Sequence, residues 1–114
     1  MNIVIVEDKI SIEELKEIAK EFYDSMIKGV VDIEKEVIAF GGQYHIDANM
    51  KLIEYGSVQK NIWGFNVNFE EPKDSWIEYT SLINIRPLVG NRTMEVQDEN
   101  IRNTMKKIID SKII

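Results

Sequence analysis

Polar side chains suited to ligand recognition cluster in one segment, SLINIRPLVGNRTME, which covers residues 81–95. The segment begins with residues typical of a β-strand. Asn84 and Arg86 would share one face of that strand because they lie two positions apart. Pro87 ends strand pairing there, since it has no amide hydrogen to donate. The pattern therefore predicts an asparagine and an arginine side by side at the carboxyl end of a strand.

A second asparagine and a second arginine follow directly after a glycine. Gly90 allows the chain to fold back, so Asn91 and Arg92 can approach the strand end. An arginine guanidinium binds a carboxylate or phosphate through two parallel hydrogen bonds, and asparagine amides add neutral donors and acceptors. The preceding strand, residues 61–69, is expected to turn Asn66 away from the core as Asn84 and Arg86 are. We therefore predict an anion-accepting, ligand-binding site formed by Asn66, Asn84, Arg86, Asn91 and Arg92.

The same residues also have a structural interpretation. An arginine at the edge of a core often binds loop carbonyls or pairs with an acidic residue such as Glu95, and Asn91 tolerates a left-handed backbone. On this interpretation Arg86 and Arg92 hold residues 87–97 in place, because that segment has no strand partner of its own. The sequence leaves both interpretations open.

The single histidine, His45, lies in the segment GGQYHIDAN. Its imidazole precedes Asp47 by two residues, near the expected start of a helix, where backbone amides favour anions. These two residues are therefore the candidates for catalysis, with His45 as a general base. The alternative is a polar residue that only hydrogen-bonds near the helix start.

Several kinds of site are disfavoured by composition. The absence of cysteine excludes thiolate zinc sites, iron–sulfur clusters, cysteine nucleophiles and disulfides. One histidine cannot form a histidine-rich metal site, and the acidic run Asp32, Glu34 and Glu36 more often keeps an edge strand soluble than binds a cation. The GxGxxG, P-loop and GxSxG patterns are missing. We therefore predict neither a metal nor a cofactor.

The chain as a whole reads as one domain, residues 1–114, with 44% hydrophobic and 30% charged residues. Its net charge of −6 disfavours nucleic acid as a partner, because phosphate binding needs a basic surface. There is no apolar run of about 18 residues that could enter a membrane, and no positive, then apolar, signal-peptide pattern. We expect a cytoplasmic protein.

Hydrophobic periodicity predicts the elements that position these residues. Residues 2–6 predict a buried strand, and the capping box from Ser11 to Glu14 begins a helix expected from Ile12 to Lys28, with Gly29 after its end. Residues 30–40 predict two short strands around a turn at 34–36, or else one long edge strand. In the hairpin interpretation one face carries Val31, Ile33, Val37 and Ala39.

The second half of the chain predicts two helices and two strands. A short helix is capped by Asp47 and ends at Gly56, and a last helix follows Asp98. The strand at 61–69 turns Trp63 to the core and pairs with a strand at 76–86, with Phe69 opposite Ile77. The order β-α-β-β-α-β-β-α predicts an α+β domain: a mostly antiparallel sheet of about five strands with the helices packed on one face.

The pattern VVDIEKE…GG…HID…EYGSxQxxxWGxN…SLINIRPxxGNRTxEVxDExIR resembles a family of small prokaryotic proteins of unknown function. The resemblance extends from Val30 to Arg102 and implies no reaction, because the family has no assigned activity. It implies that the following residues belong to the family's characteristic motifs: His45, Asp47, Ser57, Gln59, Trp63, Asn66, Asn84, Arg86, Asn91 and Arg92. Ile46 and Thr93 depart slightly from the expected Ala and Ser without changing the chemistry.

Three functions are compatible with the sequence. The first is a small binding or interaction module for a small anionic molecule or a protein partner, including a second copy in a homo-oligomer. The second is a small hydrolase or transferase that acts on an anionic substrate with His45 and the arginines. The third, a nucleic-acid-processing protein of the small toxin type, is disfavoured by the acidic charge. A pocket that brings His45 close to Arg86 or Arg92 would favour the enzyme. An exposed apolar patch at Trp76 or Leu82 would favour the interaction module.

Overall fold

Three helices and five antiparallel strands make up the computed structural model, which describes residues 1–114. The helices are α1 (Ile12–Ala19), α2 (His45–Tyr55) and α3 (Glu99–Lys112). The strands are β1 (Val4–Val6), β2 (Met26–Asp32), β3 (Val37–Phe40), β4 (Ile62–Asn68) and β5 (Ile77–Glu78). Short 3₁₀ turns lie at Gln59–Asn61, Leu82–Asn84 and Pro87–Val89. The strands form one sheet in the order β1-β3-β2-β4-β5, which confirms the predicted α+β class and antiparallel sheet.

The helices lie on both faces of the sheet, so the prediction that they pack on one face is wrong. On one face, α1 and α3 bury Leu15 and Met105 in the larger core. On the other face, α2 buries Leu52 against Val30 and Ala39 in a smaller core. The central strands are apolar on both sides, and each side must therefore be covered to remove it from water.

The first helix is shorter than predicted, because the chain leaves it after Ala19 and enters β2 at Met26. Gly29 does not end a helix. It lies in β2 opposite Phe65, and a Cβ at this glycine would lie only 2.5 Å from Cζ of the phenylalanine ring. The position therefore needs glycine so that the aromatic ring can pack on the neighbouring strand.

Residues 30–40 form a hairpin rather than one long strand. Asp32 pairs with Val37, and its Oδ1 accepts from the amides of Glu34 and Lys35, both at 2.9 Å. Glu36 closes the turn with a left-handed backbone, φ 56°. Asp32 therefore ends β2, while Glu34 and Glu36 belong to the turn, so these acidic residues do not alternate along one strand.

The hairpin register is offset by one residue from the predicted one, and the predicted shared face is wrong. Val31 contributes to the larger core, with Ile33 packed against it. Val37 and Ala39 contribute to the smaller core on the other face. A shift of one residue in register moves every side chain of a strand to the opposite face.

The predicted strand at 76–86 is mostly irregular. Only Ile77 and Glu78 pair with β4, and Ile77 lies opposite Val67 rather than Phe69. Two predictions for the flanking elements are confirmed: Trp63 is buried in the larger core, and Asp98 caps α3 by accepting from the amide of Asn100 at 2.8 Å. No helix in the fold is long and apolar enough to span a bilayer.

Candidate functional site

Asn84 is fully buried and takes the place of a strand partner for Gly64. Its Oδ1 accepts from the Gly64 amide at 2.8 Å, and its Nδ2 donates to the Gly64 carbonyl at 3.0 Å and the Met94 carbonyl at 3.1 Å. Because β5 ends before this point, the side-chain amide supplies the hydrogen bonds that a backbone ladder would otherwise make. Asn84 therefore organises the fold and has no free group for a ligand.

Asn91 has the same role nearer the end of the segment. Its Nδ2 lies within hydrogen-bond distance of three carbonyls, those of Asn84 at 2.8 Å, Thr93 at 3.0 Å and Glu95 at 2.9 Å. Its Oδ1 accepts from the Gln97 amide at 2.8 Å. With the side chain buried, every polar atom of this amide contacts the backbone.

Arg86 is half-buried against the start of β4. Its Nη1 donates to the Lys60 carbonyl at 3.3 Å, and its Nη2 donates to the Ile62 carbonyl. The guanidinium lies 4.4 Å from the ring centroid of Trp63, which is cation–π distance. Burial lowers the pKa of this guanidinium. The contacts are those of an arginine that ties a loop to the sheet.

Arg92 lies apart from this arrangement, with an exposed side chain and only its backbone amide bonded, to Oε1 of Gln97 at 2.7 Å. Asn66 lies on β4, on the opposite face from Trp63. The structure thus joins Asn84, Asn91 and the backbone of Arg86, but it does not gather all five predicted residues around one opening. An anion site at these residues stays a prediction.

Residues 80–95 form a nested loop, called here the 80–95 loop. Its outer bridge joins Thr80 to Glu95 and its inner bridge joins Arg86 to Asn91. Ser81, Asn84 and Asn91 are buried, while these apolar side chains are exposed: Leu82, Ile85, Leu88, Val89 and Met94. The asparagine side chains occupy the interior of the loop because they make the hydrogen bonds that its irregular backbone needs. The apolar side chains therefore point into solvent.

A pocket of about 350 Å³ lies between α2, the sheet and this loop, and we call it the α2 pocket. Its lining residues are Lys28, Tyr44, His45, Ile46, Asn66, Thr80, Ser81, Leu82, Ile83 and Met94. Its volume falls in the range of small-molecule sites. It contains two of the predicted site residues, His45 and Asn66, and neither arginine.

His45 is the first residue of α2 and is buried at the pocket wall. Its Nε2 lies 2.8 Å from the Phe65 carbonyl. This nitrogen must therefore carry the proton, which leaves Nδ1 as the acceptor of the neutral ring. Burial, with a smaller contribution from the positive charge of Lys28, lowers the pKa of His45 to about 4 despite the opposing hydrogen bond to the Phe65 carbonyl. At neutral pH the ring is uncharged.

Asp47 does not pair with the histidine. Its carboxylate accepts from the backbone amides of Gln43 at 3.1 Å and Tyr44 at 3.0 Å, so it closes the first turn of α2 from the third helical position. Because α2 begins at His45, the prediction that Asp47 precedes and caps this helix is wrong. Because the Asp47 carboxylate neither bonds to the imidazole nor orients it, the two residues lack the geometry of a general acid–base dyad.

A polar row crosses three strands at the floor of the pocket. Lys28 lies opposite Asn66, and Asn66 lies opposite Glu78. The Asn66 Nδ2 donates to Oε1 of Glu78 at 3.3 Å, while its Oδ1 is buried without a hydrogen-bond partner. Burial lowers the pKa of Lys28, against the opposing charge of Glu78. The row therefore holds one unpaired acceptor beside one ammonium group.

The rim of the pocket is apolar and open to solvent. Leu82 is 73% exposed and Tyr44 is 61% exposed, with Ile46 and Met94 beside them. Large exposed apolar side chains around a concave opening are typical of a binding surface. The buried Trp76 does not contribute to any such surface.

Sequence reasoning missed Lys28, Leu82 and Met94 as pocket residues. Lys28 was expected inside the first helix, and the adjacent apolar pairs of the run MIKGVVD do not show the two-residue alternation that marks a strand. Leu82 was expected in a strand, where it would have paired with Gly64. No sequence signal marks Met94, because only the closure of the 80–95 loop brings it to Leu82.

Gln59 and Ser57, two further residues of the motifs quoted above, are hydrogen-bonded or buried within the fold. The Gln59 amide exchanges two hydrogen bonds, both 2.8 Å, with the side chain of Asn49 on α2. Ser57 follows the helix end at Gly56 and is buried. No three His, Asp or Glu side chains lie close enough together to hold a metal ion, and the expected lack of a metal stays a prediction.

We expect stability to depend on pH through His45. The folded pKa, about 4, lies below the ordinary value of 6.5, so the unfolded chain takes up the proton first and stability falls as the pH decreases through this window. Between pH 6.5 and pH 5 the free energy of unfolding should fall by about 1–2 kcal/mol. Urea denaturation at several pH values would measure the slope, and His45→Gln should remove most of it. An equal slope in that variant would contradict the assignment.

Comparisons with known proteins identify a family for the chain but no activity. The model of the family described as "Protein of unknown function (DUF5674)" matches residues 4–112. No curated protein and no solved structure matches the chain. The predicted resemblance to a family of unknown function is thereby confirmed, while its prokaryotic origin stays a prediction.

Proposed function

Because the chain belongs to the DUF5674 family of proteins of unknown function, whose description assigns no activity, we propose a function from the geometry of the α2 pocket. The protein is a binding module for a small molecule with an apolar body and an anionic group. The observation that carries the proposal is the partly buried ammonium of Lys28, which lines an apolar-rimmed pocket and takes part in none of the chain's salt bridges.

The position of Lys28 gives an anion a strong partner. A partly desolvated ammonium attracts a carboxylate or phosphate more strongly than an exposed one does, because less water screens the charge. Lys28 forms no salt bridge with the nearby Glu78, and its Nζ lies 5.4 Å from the centroid of the Tyr23 ring, so the ammonium keeps its capacity for a ligand oxygen. We therefore propose that Lys28, rather than the predicted Arg86 or Arg92, binds the anionic group of the ligand.

The rest of the pocket suits a neutral or apolar ligand body. Leu82, Met94 and Ile46 present apolar surface, and their burial would supply most of the driving force for binding. Ser81 is already engaged through its Oγ, which accepts from the Ile83 amide at 3.2 Å. Specificity then depends on few polar groups, as in most small-molecule sites.

The hydrolase or transferase alternative has weaker support. His45 lies in the pocket, but its Nε2 is committed to a backbone carbonyl, and no arginine or aspartate reaches it. An imidazole with a pKa of about 4 is a weak base at neutral pH. Binding without chemistry fits these contacts better. A cytoplasmic location, with which the absence of cysteine is compatible, is part of the proposal.

A matched pair of probes would test the function. We expect 4-phenylbutyrate to raise the melting temperature of the protein more than its uncharged amide does, and Lys28→Met to weaken carboxylate binding about tenfold or more while leaving amide binding unchanged. Isothermal titration would measure both affinities.

Lys51→Met is the control, because Lys51 lies on α2 with an exposed side chain and pairs with Glu54 at 3.7 Å, outside the pocket. It makes the same change in net charge and should bind both probes normally. Equal affinity for the carboxylate in the Lys28→Met variant, or equal affinity of the normal protein for the two probes, would overturn the proposal.

A further inference from the structure

The imidazole of His45 presents an unused hydrogen-bond acceptor at the wall of the α2 pocket. Its Nε2 donates to the Phe65 carbonyl at 2.8 Å, so Nδ1 keeps its lone pair in the neutral ring. The bond to Phe65 is the only hydrogen bond of the His45 side chain within the chain. Because His45 is 8% exposed and lines the pocket, Nδ1 is an acceptor held in a largely dry environment.

Nδ1 is accessible, in contrast to the other unpaired polar atoms of the chain. Five side-chain atoms are fully buried without a hydrogen-bond partner, and Nδ1 is not one of them although it also lacks a partner. It therefore keeps some accessible surface. Since His45 lines the α2 pocket, a ligand in this pocket can approach Nδ1 directly.

The Asn66 side chain lies beside the imidazole but does not supply the missing donor. Its Nδ2 donates to Oε1 of Glu78 at 3.3 Å, and its Oδ1 is an acceptor that cannot bond to an unprotonated Nδ1. Exchanging the two amide atoms would place Oδ1 against the Glu78 carboxylate, so the contact with Glu78 fixes the amide orientation. A donor for Nδ1 must therefore come from outside the chain.

His45 and Lys28 meet the same short stretch of β4. The imidazole is anchored at the Phe65 carbonyl, and Lys28 on β2 lies opposite the next residue, Asn66. Opposite residues of antiparallel strands have Cα atoms about 5 Å apart. The positive charge of Lys28 contributes to the lowered pKa of His45, which agrees with this proximity. A ligand that fits a pocket of about 350 Å³ can therefore contact both groups.

We infer that the ligand of the α2 pocket is a hydroxylated organic acid, whose anionic group binds to Lys28 and whose hydroxyl donates to Nδ1 of His45. This inference rests on the function proposed above and specifies its ligand class. The donor must be neutral, because Lys28 repels an ammonium group. A hydroxyl is the smallest neutral donor, and unlike an amide it brings no carbonyl that needs its own partner. His45 thereby determines specificity, since it stays an uncharged acceptor at neutral pH.

The ring-hydroxylated isomers of 4-phenylbutyrate test this ligand class. All three positions are compared, because the direction from Lys28 to Nδ1 decides which hydroxyl reaches the imidazole. At least one isomer should bind about threefold to tenfold more tightly than 4-phenylbutyrate. The acid with fluorine at the same position should show no such gain, because fluorine cannot donate. Isothermal titration at pH 7 would measure the affinities.

Nitrogen-15 NMR of the unaltered protein observes the proposed contact directly. The chain contains one histidine, so the imidazole nitrogen signals belong to His45 alone. In the free protein Nδ1 should have the chemical shift of an unprotonated ring nitrogen. The tightest-binding hydroxylated isomer should move this signal toward the protonated value, and its fluorinated counterpart should not.

His45→Gln removes the acceptor while retaining a donor for the Phe65 carbonyl. Glutamine carries an amide at the distance of Nε2 but no polar atom in place of Nδ1. In this variant the affinity ratio of the hydroxylated isomer to 4-phenylbutyrate should fall to about one. A purely structural role of His45 would weaken both acids alike and leave the ratio unchanged. Lys28→Met is the control, since it should weaken both acids and preserve the ratio.

The inference is overturned if no isomer binds more tightly than 4-phenylbutyrate, if the gain persists in His45→Gln, or if Nδ1 carries the proton in the free protein. The function proposed above fails separately, when Lys28→Met binds 4-phenylbutyrate as tightly as the normal protein does. A hydroxylated isomer that shifts the Nδ1 signal equally in Lys28→Met would support the His45 contact and overturn the role of Lys28.

Discussion

Replacing Asn84 with alanine should lower the free energy of unfolding by about 3–5 kcal/mol. The substitution removes three hydrogen bonds and leaves the amide and carbonyl of Gly64 buried without partners. No backbone is available to replace them, because β5 ends at Glu78. Chemical denaturation of the two proteins at pH 7 would measure the difference.

Leu82→Ser is the matched control for this effect. It lies two residues from Asn84 in the same 3₁₀ turn, but its side chain is 73% exposed and makes no side-chain hydrogen bond. Its free energy of unfolding should stay within about 0.5 kcal/mol of the normal protein. An Asn84→Ala variant as stable as this control would show that the 80–95 loop does not depend on the asparagine amide.

Replacing Trp63 with alanine should cost about 3–5 kcal/mol of stability. The indole is 3% exposed in the larger core, and Arg86 stacks on it at 4.4 Å. The substitution creates a cavity and also leaves the guanidinium without its aromatic partner, so it loosens the attachment of the 80–95 loop to β4. Thermal or urea denaturation, followed by circular dichroism, would measure the loss.

Trp63→Phe distinguishes ring packing from the indole N–H. Phenylalanine keeps an aromatic face for Arg86 and removes a donor that has no partner in the folded chain. We expect this variant to lose less than about 2 kcal/mol. A loss as large as that of the alanine variant would indicate that the indole N–H is satisfied in solution and contributes to stability.

The 80–95 loop connects these stability effects to the α2 pocket. Leu82 and Met94 of this loop line the α2 pocket. The residues that hold the loop, Asn84 and Asn91, therefore set the shape of the α2 pocket without lining it. Variants of the asparagines should be judged by stability first, and by binding only if the protein remains folded.

The sequence by itself determined the elements whose signal is local. The alternation around Trp63 identified β4 and the face it buries, because side chains on a strand alternate whatever lies beyond it. The N-cap at Asp98 marked the beginning of α3, since capping involves only residues within one turn. The left-handed glycine at Gly56 likewise ended α2 where expected.

Only the tertiary structure decided how these elements meet and where the site lies. Helices cover both faces because the central strands are apolar on both sides, and local periodicity does not state which helix covers which face. The polar residues at 84–92 were visible in the sequence, but their partners, such as Gly64, lie 20 residues away along the chain. The asparagine side chains point inward because they satisfy that distant backbone. The cation of the α2 pocket is instead Lys28, which lies in no recognisable motif.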